Sequence, residues 1–271
     1  MTLSSIADTK MIRFVQSPLA SLKAVNQHRS MSLMVQLRTK VRAGRKRGAR
    51  WVRLIELARL LGSAEGLSVL WTGIANGGAV HQTTPFTCEE RYPELFDLVA
   101  ELAPAARRIL SFGCSSGEEL ISLRLRFPMA EIVGAEINGR SRRLAVRRTL
   151  RDVRTSVVDP DSIDGAFDVI FALAVLQREP HRVVQAGQQD ISRFYPFSKF
   201  DTAVVGLAER LTEGGLLCVM HAQYRVEDSS AADKLRPLPE SPRLAGPIFA
   251  PDGKLAQEAE AHSVFSRLEV Q

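Results

Sequence analysis

Three cysteines in 271 residues, Cys88, Cys114 and Cys218, lie far apart and form no paired spacing, which argues against a zinc ribbon and against a disulfide framework. That usage fits a reducing compartment, and a cytoplasmic location is the expectation. No apolar run approaches the roughly 18 residues that a membrane-spanning helix needs. Internal repeats and low-complexity blocks are also absent. With 45% hydrophobic residues, the chain is long enough for one large α/β domain and an appendage.

Acidic residues are nearly missing from the first fifty positions. That stretch holds 11 Lys or Arg and one acid, Asp8, so the net charge of +6 belongs to an amino-terminal arm carrying +10, and the remainder of the chain carries −4. Rich in Ser and Arg, the arm has the composition of an organellar transit peptide but lacks the long apolar core of a secretory signal. Met31 to Val41 and Trp51 to Leu61 show apolar residues at helical spacing, the second stopping at Gly62. Residues 1–70 are therefore read as a basic helical appendage and residues 71–271 as the main domain. Ser63 to Pro85, rich in Gly, Ser and Thr, reads as a linker folded over a ligand pocket, and His81 within it is either a base or an ordinary loop residue.

The most informative stretch runs from Arg107 to Asn138. Ile109 to Phe112 is an apolar run of strand length, and Gly113-Cys114-Ser115-Ser116-Gly117 breaks it with small residues that let backbone approach a ligand. Leu120, Leu123 and Phe127 then recur at helical spacing, Pro128 ends that helix, and Ala130 to Ala135 forms a second buried strand with Glu136 at its carboxyl end. Such a unit is half of a doubly wound sheet, whose ligands sit outside the carboxyl ends of the strands. The dinucleotide fingerprint G-x-G-x-x-G fails, because Ser115 and Glu118 occupy the required glycine positions. Glu118 and Glu119 in the first helical turn would repel a pyrophosphate competing for the same amides. S-adenosylmethionine has no phosphate and tolerates acids, and Glu136, 23 residues after Gly113, is placed to accept hydrogen bonds from ribose hydroxyls.

Residues from about Thr87 to Arg225 resemble the class I S-adenosylmethionine-dependent methyltransferases, and the turn Gly113-Cys-Ser-Ser-Gly-Glu-Glu119 is similar to that of the CheR-type chemotaxis-receptor enzymes. Thr87-x-x-x-Arg91 is similar to that family's Thr-x-x-x-Arg, which implies a role at the methionine end of the cofactor. Glu136-Ile137-Asn138 matches its acidic ribose motif, and Phe167 to Phe171 its fourth strand. Leu173 and Ala174 replace the family's Arg-Asn pair, a departure at the receptor-glutamate site. The resemblance implies a Rossmann-like, doubly wound seven-stranded sheet, mostly parallel with one antiparallel strand. It also implies a cofactor set of Thr87, Arg91, Gly113, Cys114, Ser115, Gly117, Glu119, Glu136, Ile137, Asn138, Asp159, Ala172 and Leu173, with Ser162 an alternative to Asp159 at the adenine edge.

The remaining elements follow in order. Pro93 opens a helix whose face is Leu95, Phe96, Val99 and Leu102. Arg140, Arg143, Arg147, Arg151 and Arg154 fall along one helical stripe, either a solvated face or an anion-binding one. Arg154 to Asp159 reads as the third strand and Phe167 to Ala172 as the fourth. Next come a helix from Phe200 to Leu211 closed by Gly214-Gly215, and the fifth strand, Leu216 to Met220. Gly246 to Ala250 and His262 to Leu268 are expected to complete the sheet around Pro251-Asp252-Gly253, with Val226 to Leu244 an insertion facing substrate.

Methyl transfer from a sulfonium asks mainly for orientation and exclusion of water, so the acceptor leaves little trace in sequence. Glu179, His181 and His221, just after strands four and five, are the candidate bases. Absence of Asn-Pro-Pro-Tyr, Asp-Pro-Pro-Tyr and Pro-Cys sets aside amide, adenine-amino and pyrimidine-ring acceptors. Three readings stay open: an enzyme methylating a small molecule or carboxylate, a protein or RNA methyltransferase holding an acidic protein or RNA through residues 1–50, and an inactive cofactor-binding interaction module. Because every pocket position lies beyond the arm, a chain starting near Arg50 is expected to keep cofactor affinity within about threefold, under ~0.7 kcal/mol. Isothermal calorimetry with S-adenosylhomocysteine checks this, and loss of binding would reassign the arm to the fold.

Overall fold

The computed structural model describes residues 62–82, 87–244, 246–256 and 261–269. Seven strands form one sheet: β1 (Arg108–Phe112), β2 (Glu131–Ala135), β3 (Thr155–Val158), β4 (Phe167–Leu173), β5 (Leu211–Met220), β6 (Leu235–Pro237) and β7 (Val264–Arg267), in the order β3-β2-β1-β4-β5-β7-β6. The first five run parallel, and β7 lies antiparallel to both β5 and β6. Described helices are α1 (Ala64–Ala75), α2 (Pro93–Leu102), α3 (Glu118–Arg126), α4 (Gly139–Thr149), α5 (Pro180–Ala186) and α6 (Phe197–Glu209).

Both faces of this sheet are covered, which is why its central strands read as continuous apolar runs. Alternation assigns the faces. Ile109, Ile132, Val169 and Phe171 pack with Leu95, Phe96 and Val99 of α2 and Leu120 and Leu123 of α3. Leu110, Val133, Ile170, Ala172 and Leu217 point the other way, toward Phe200, Val204 and Leu207 of α6. Pro93 stands at the first position of α2, where its missing N–H costs nothing. Arg124 closes the α3–β2 turn, donating from Nη1 to the carbonyls of Phe127 (2.8 Å) and Ala130 (2.8 Å) and from Nε to Asp152 (2.7 Å).

Several sequence expectations shift. The expected linker contains α1, whose N-cap Ser63 accepts from Gly66 N–H through Oγ at 3.0 Å, and this helix runs through the 70/71 boundary. Gly66 and Gly73, weak helix formers, hide it in the sequence. The arginine stripe is shorter than expected, since α4 ends at Thr149 and leaves Arg151 and Arg154 beyond it. Strand β5 begins at Leu211, not Leu216, and Gly214-Gly215 form a bulge inside it rather than a helix stop; Gly214 has φ 70°. The partner of β7 is β6, from the expected insertion, and Gly246 to Ala250 contributes no strand beyond a single bridge, Phe249 to Leu255. The basic arm and its two expected helices, Met31 to Val41 and Trp51 to Leu61, lie outside the described residues. Among the described residues, no helix is long and apolar enough to cross a membrane.

Gly117, at φ 89°, caps α3 against α4, where an added Cβ would stand 2.9 Å from the Ala145 Cα. Gly117→Ala is expected to cost about 1–3 kcal/mol in backbone strain alone, with a further loss as α4 is displaced. Urea unfolding measures it, and an unchanged midpoint would refute this account of the glycine.

Candidate active site

A cavity of about 770 Å³ opens at the carboxyl ends of β1, β2 and β4, the position ligands take in open α/β sheets. Of the expected cofactor residues, Thr87, Arg91, Gly113, Cys114, Ser115, Glu119, Glu136, Ile137, Asn138, Asp159 and Leu173 line it. Gly117 and Ala172 do not: the first shapes the turn, and the second is buried in the core on the α6 face. Gly113, at φ 83°, is required by close approach, because a Cβ there would meet Val175 Cγ2 at 2.6 Å.

Glu136 ties the β1 turn to the end of β2. Its Oε2 accepts the Ser115 backbone N–H at 2.9 Å and its Oε1 the Asn138 N–H at 2.7 Å. Burial raises its pKa, opposed by these two backbone N–H groups and by Arg142. An ionised carboxylate has about four acceptor sites, so two N–H donors leave room for hydroxyl donors from a ligand. Asn138 is the N-cap of α4: Oδ1 accepts from Arg140 and Ser141 N–H, each at 3.0 Å, and from Ser68 Oγ at 2.8 Å, while Nδ2 donates to Thr72 Oγ1 at 3.1 Å. One side chain thus starts α4 and fastens α1 over the pocket. Asp159 is held by Arg142, whose Nη1 donates to Oδ2 at 2.5 Å and to the Glu136 carbonyl at 2.7 Å. Ser162 is not among the lining residues.

The two acids after the turn have separate duties. Glu118 turns outward to Arg148 Nη2 (2.6 Å) and Ser116. Glu119 faces the cavity and accepts from Ser111 Oγ at 2.7 Å. Burial pushes its pKa up to about 7, with the Ser111 hydrogen bond and the Arg91 charge opposing.

None of the three candidate bases is a lining residue. Glu179 is the N-cap of α5 and pairs with Arg182 at 2.8 Å; His181 is exposed in the same turn. His221 packs its ring 5.6 Å from Tyr92, and burial and then Arg91 lower its pKa. Proximity to a strand end in sequence does not fix the direction of a side chain, and here these three point elsewhere. His81 does line the cavity, with Nδ1 2.8 Å from Tyr195 Oη. Lys199 Nζ donates to the Val80 carbonyl (2.6 Å), and Arg178 Nη1 to the carbonyls of Val80 (3.0 Å) and His81 (3.4 Å). The signal that would have found this end was Ser63 as an N-cap, which converts the linker into a pocket wall. Among the described residues, no cluster of His, Cys, Asp or Glu is suited to hold a metal.

Sheet order, turn and acidic strand end together define a class I methyltransferase fold. Residues 88–185 match the family model described as a methyltransferase domain, and the cofactor of this class is S-adenosylmethionine. No curated protein matches the chain. Among solved structures, the N-methyltransferase NodS from Bradyrhizobium japonicum WM9 is 17% identical, with 65% of this chain and 96% of that one covered at a TM-score of 0.43. The S-adenosylmethionine-bound amino pentose methyltransferase CalS10 from Micromonospora echinaspora is 23% identical over 49% of this chain and 50% of that one, at 0.36. The sugar N-methyltransferase KedS8 from Streptoalloteichus sp ATCC 53650 is 21% identical over 59% and 54%, at 0.34. The chain thus spans about half the length of the last two.

Glu119 generates a pH prediction. Between its ordinary 4.5 and about 7 the unfolded chain has released a proton that the folded chain keeps, so its contribution to stability falls as pH rises through that window and stays lost above it. Glu119→Gln should therefore raise stability at pH 8, by no more than about 3 kcal/mol, with the gain fading toward pH 4.5. Thermal unfolding of the ligand-free protein at both pH values reads this, and a gain independent of pH would refute it.

Proposed function

We propose that the protein transfers the methyl group of S-adenosylmethionine to a small-molecule or carboxylate acceptor. The carrying observation is Glu136, buried at the end of β2 with both oxygens directed by backbone N–H groups while its carboxylate still lines the cavity. In this reading Glu136 holds the ribose, Asp159 borders the adenine, and Thr87 and Arg91 sit toward the methionine end. Leu173 and Ala174, both lining residues, face the methyl group.

The chemistry is an in-line displacement. An acceptor lone pair attacks the methyl carbon, the carbon–sulfur bond breaks, and its electron pair neutralises the sulfonium. Bound S-adenosylmethionine supplies the activated methyl group. The chain's own residues fix approach and exclude water, an effect worth ~7–11 kcal/mol when both partners are well oriented. A basic appendage ahead of the domain remains the proposal, with its border moved from residue 70 to ahead of α1, because Ser68 and Thr72 of that helix are bonded to Asn138 of the domain.

Calorimetry should show binding of S-adenosylmethionine and S-adenosylhomocysteine and none of NAD. Glu136→Ala should weaken both by about 1.5–3 kcal/mol, the scale of hydrogen bonds to a charged group. Binding of NAD alone would overturn the reading, and unchanged affinity in the variant would remove Glu136 from the site.

A further inference from the structure

The end of the cavity away from Glu136 is built unlike the nucleoside end. Its wall comes from Val80 and His81, and from Phe194, Pro196, Lys199 and Ala203 in and just before the first turns of α6. Its polar groups are the His81 imidazole and the Lys199 amine, with the Tyr195 hydroxyl buried behind the imidazole and bonded to it. Tyr195 is locked from behind. Its ring stacks 5.7 Å from Tyr224, and the Tyr224 hydroxyl donates to the Tyr195 carbonyl at 2.6 Å. Arg178 and Lys199 clamp the peptide that carries His81, so the imidazole is placed by three hydrogen bonds outside its own ring. An ammonium has three N–H donors; Lys199 gives one to the Val80 carbonyl, and the residue lines the cavity.

The geometry points to an acceptor that binds as an oxyanion, a carboxylate or an acidic phenol, against Lys199 and the His81 N–H; this rests on the methyltransferase reading above. With the Tyr195 hydroxyl as donor across its 2.8 Å contact with His81 Nδ1, the imidazole proton sits on Nε2, and that N–H serves the ligand as a donor. The charges acting on His81 are Lys199 from α6 and Arg178 from the loop after β4, both cations, and with burial first they hold its pKa down to about 4. Burial raises the Tyr195 pKa, keeping the phenol a donor. Burial, and then the Arg178 charge, lower the Lys199 pKa. A cationic ammonium acceptor would meet the like charge of Lys199 here, whereas an oxyanion is desolvated beside fixed donors. The step balances without a base: the oxyanion attacks the methyl carbon, the carbon–sulfur bond electrons pass to sulfur, and one negative and one positive charge become two neutral products. His81 is accordingly a donor that orients the acceptor, not a proton acceptor.

The experiment is a calorimetric panel on the full chain. S-adenosylhomocysteine is titrated first, then benzoate, 4-nitrophenol, benzyl alcohol and benzylamine into the saturated protein at pH 8. Benzoate and nitrophenolate should bind at least about tenfold more tightly than the other two, the scale of a charge-assisted hydrogen bond. Lys199→Met should abolish that preference and Lys199→Arg retain it, with the S-adenosylhomocysteine titration confirming in each case that the domain is folded. Equal or absent binding of the anions, or a preference that survives Lys199→Met, overturns the assignment. Failure of the first titration instead overturns the underlying methyltransferase reading. His81 ring signals in nuclear magnetic resonance should stay those of neutral imidazole from about pH 5 to 8; titration near the ordinary 6.5 would also overturn it.

Discussion

Two hydrogen bonds to one carboxylate organise the working end of this molecule. Glu136 is buried at the end of β2, and its oxygens collect the N–H groups of Ser115 and Asn138. Without them the turn after β1 would leave a backbone donor inside the protein, at a cost of about 1–3 kcal/mol for each one lost. With them, the turn is drawn across the sheet toward the start of α4. Burial of the charge opposes this arrangement, and the protein offsets it by directing backbone dipoles and Arg142 at the same group. The balance leaves its pKa above the usual carboxylate range, with burial the larger influence.

The centre of the sheet was legible because both faces are buried. Ile109 to Phe112, Ala130 to Ala135 and Phe167 onward are mainly apolar, interrupted only by Ser111, Glu131 and Asp168, and tertiary packing agrees with propensity at each. The turn after β1 and the acid beside it were legible for a related reason: a tight turn needs Gly113 and Gly117 at positive φ, and a directed acid needs its own position. Chemistry restricted to a few residue types leaves a clear trace in sequence.

What was hidden depended on groups whose roles are set by distant partners. Helix α1 carries glycines and a weak apolar face, and gains its place from Ser68 and Thr72 bonding Asn138, some seventy residues away. Strand β6 is three residues long and pairs with β7 across an intervening loop, so no local pattern announces it. The pairing of His81 with Tyr195 spans 114 positions. Glu179, His181 and His221 hold positions in sequence just after strand ends, yet none of them lines the cavity.

The two edges of the sheet have a bearing on how the protein behaves in crowded solution. An exposed edge strand is a template for another chain to add to, and long flat edges invite aggregation. Here β6 offers three residues, of which Pro237 has no N–H to donate, and β3 at the opposite edge offers four. Among the described residues, a large, mostly parallel sheet is in this way bounded on both sides by short strands, and length and proline there disfavour self-association through sheet extension.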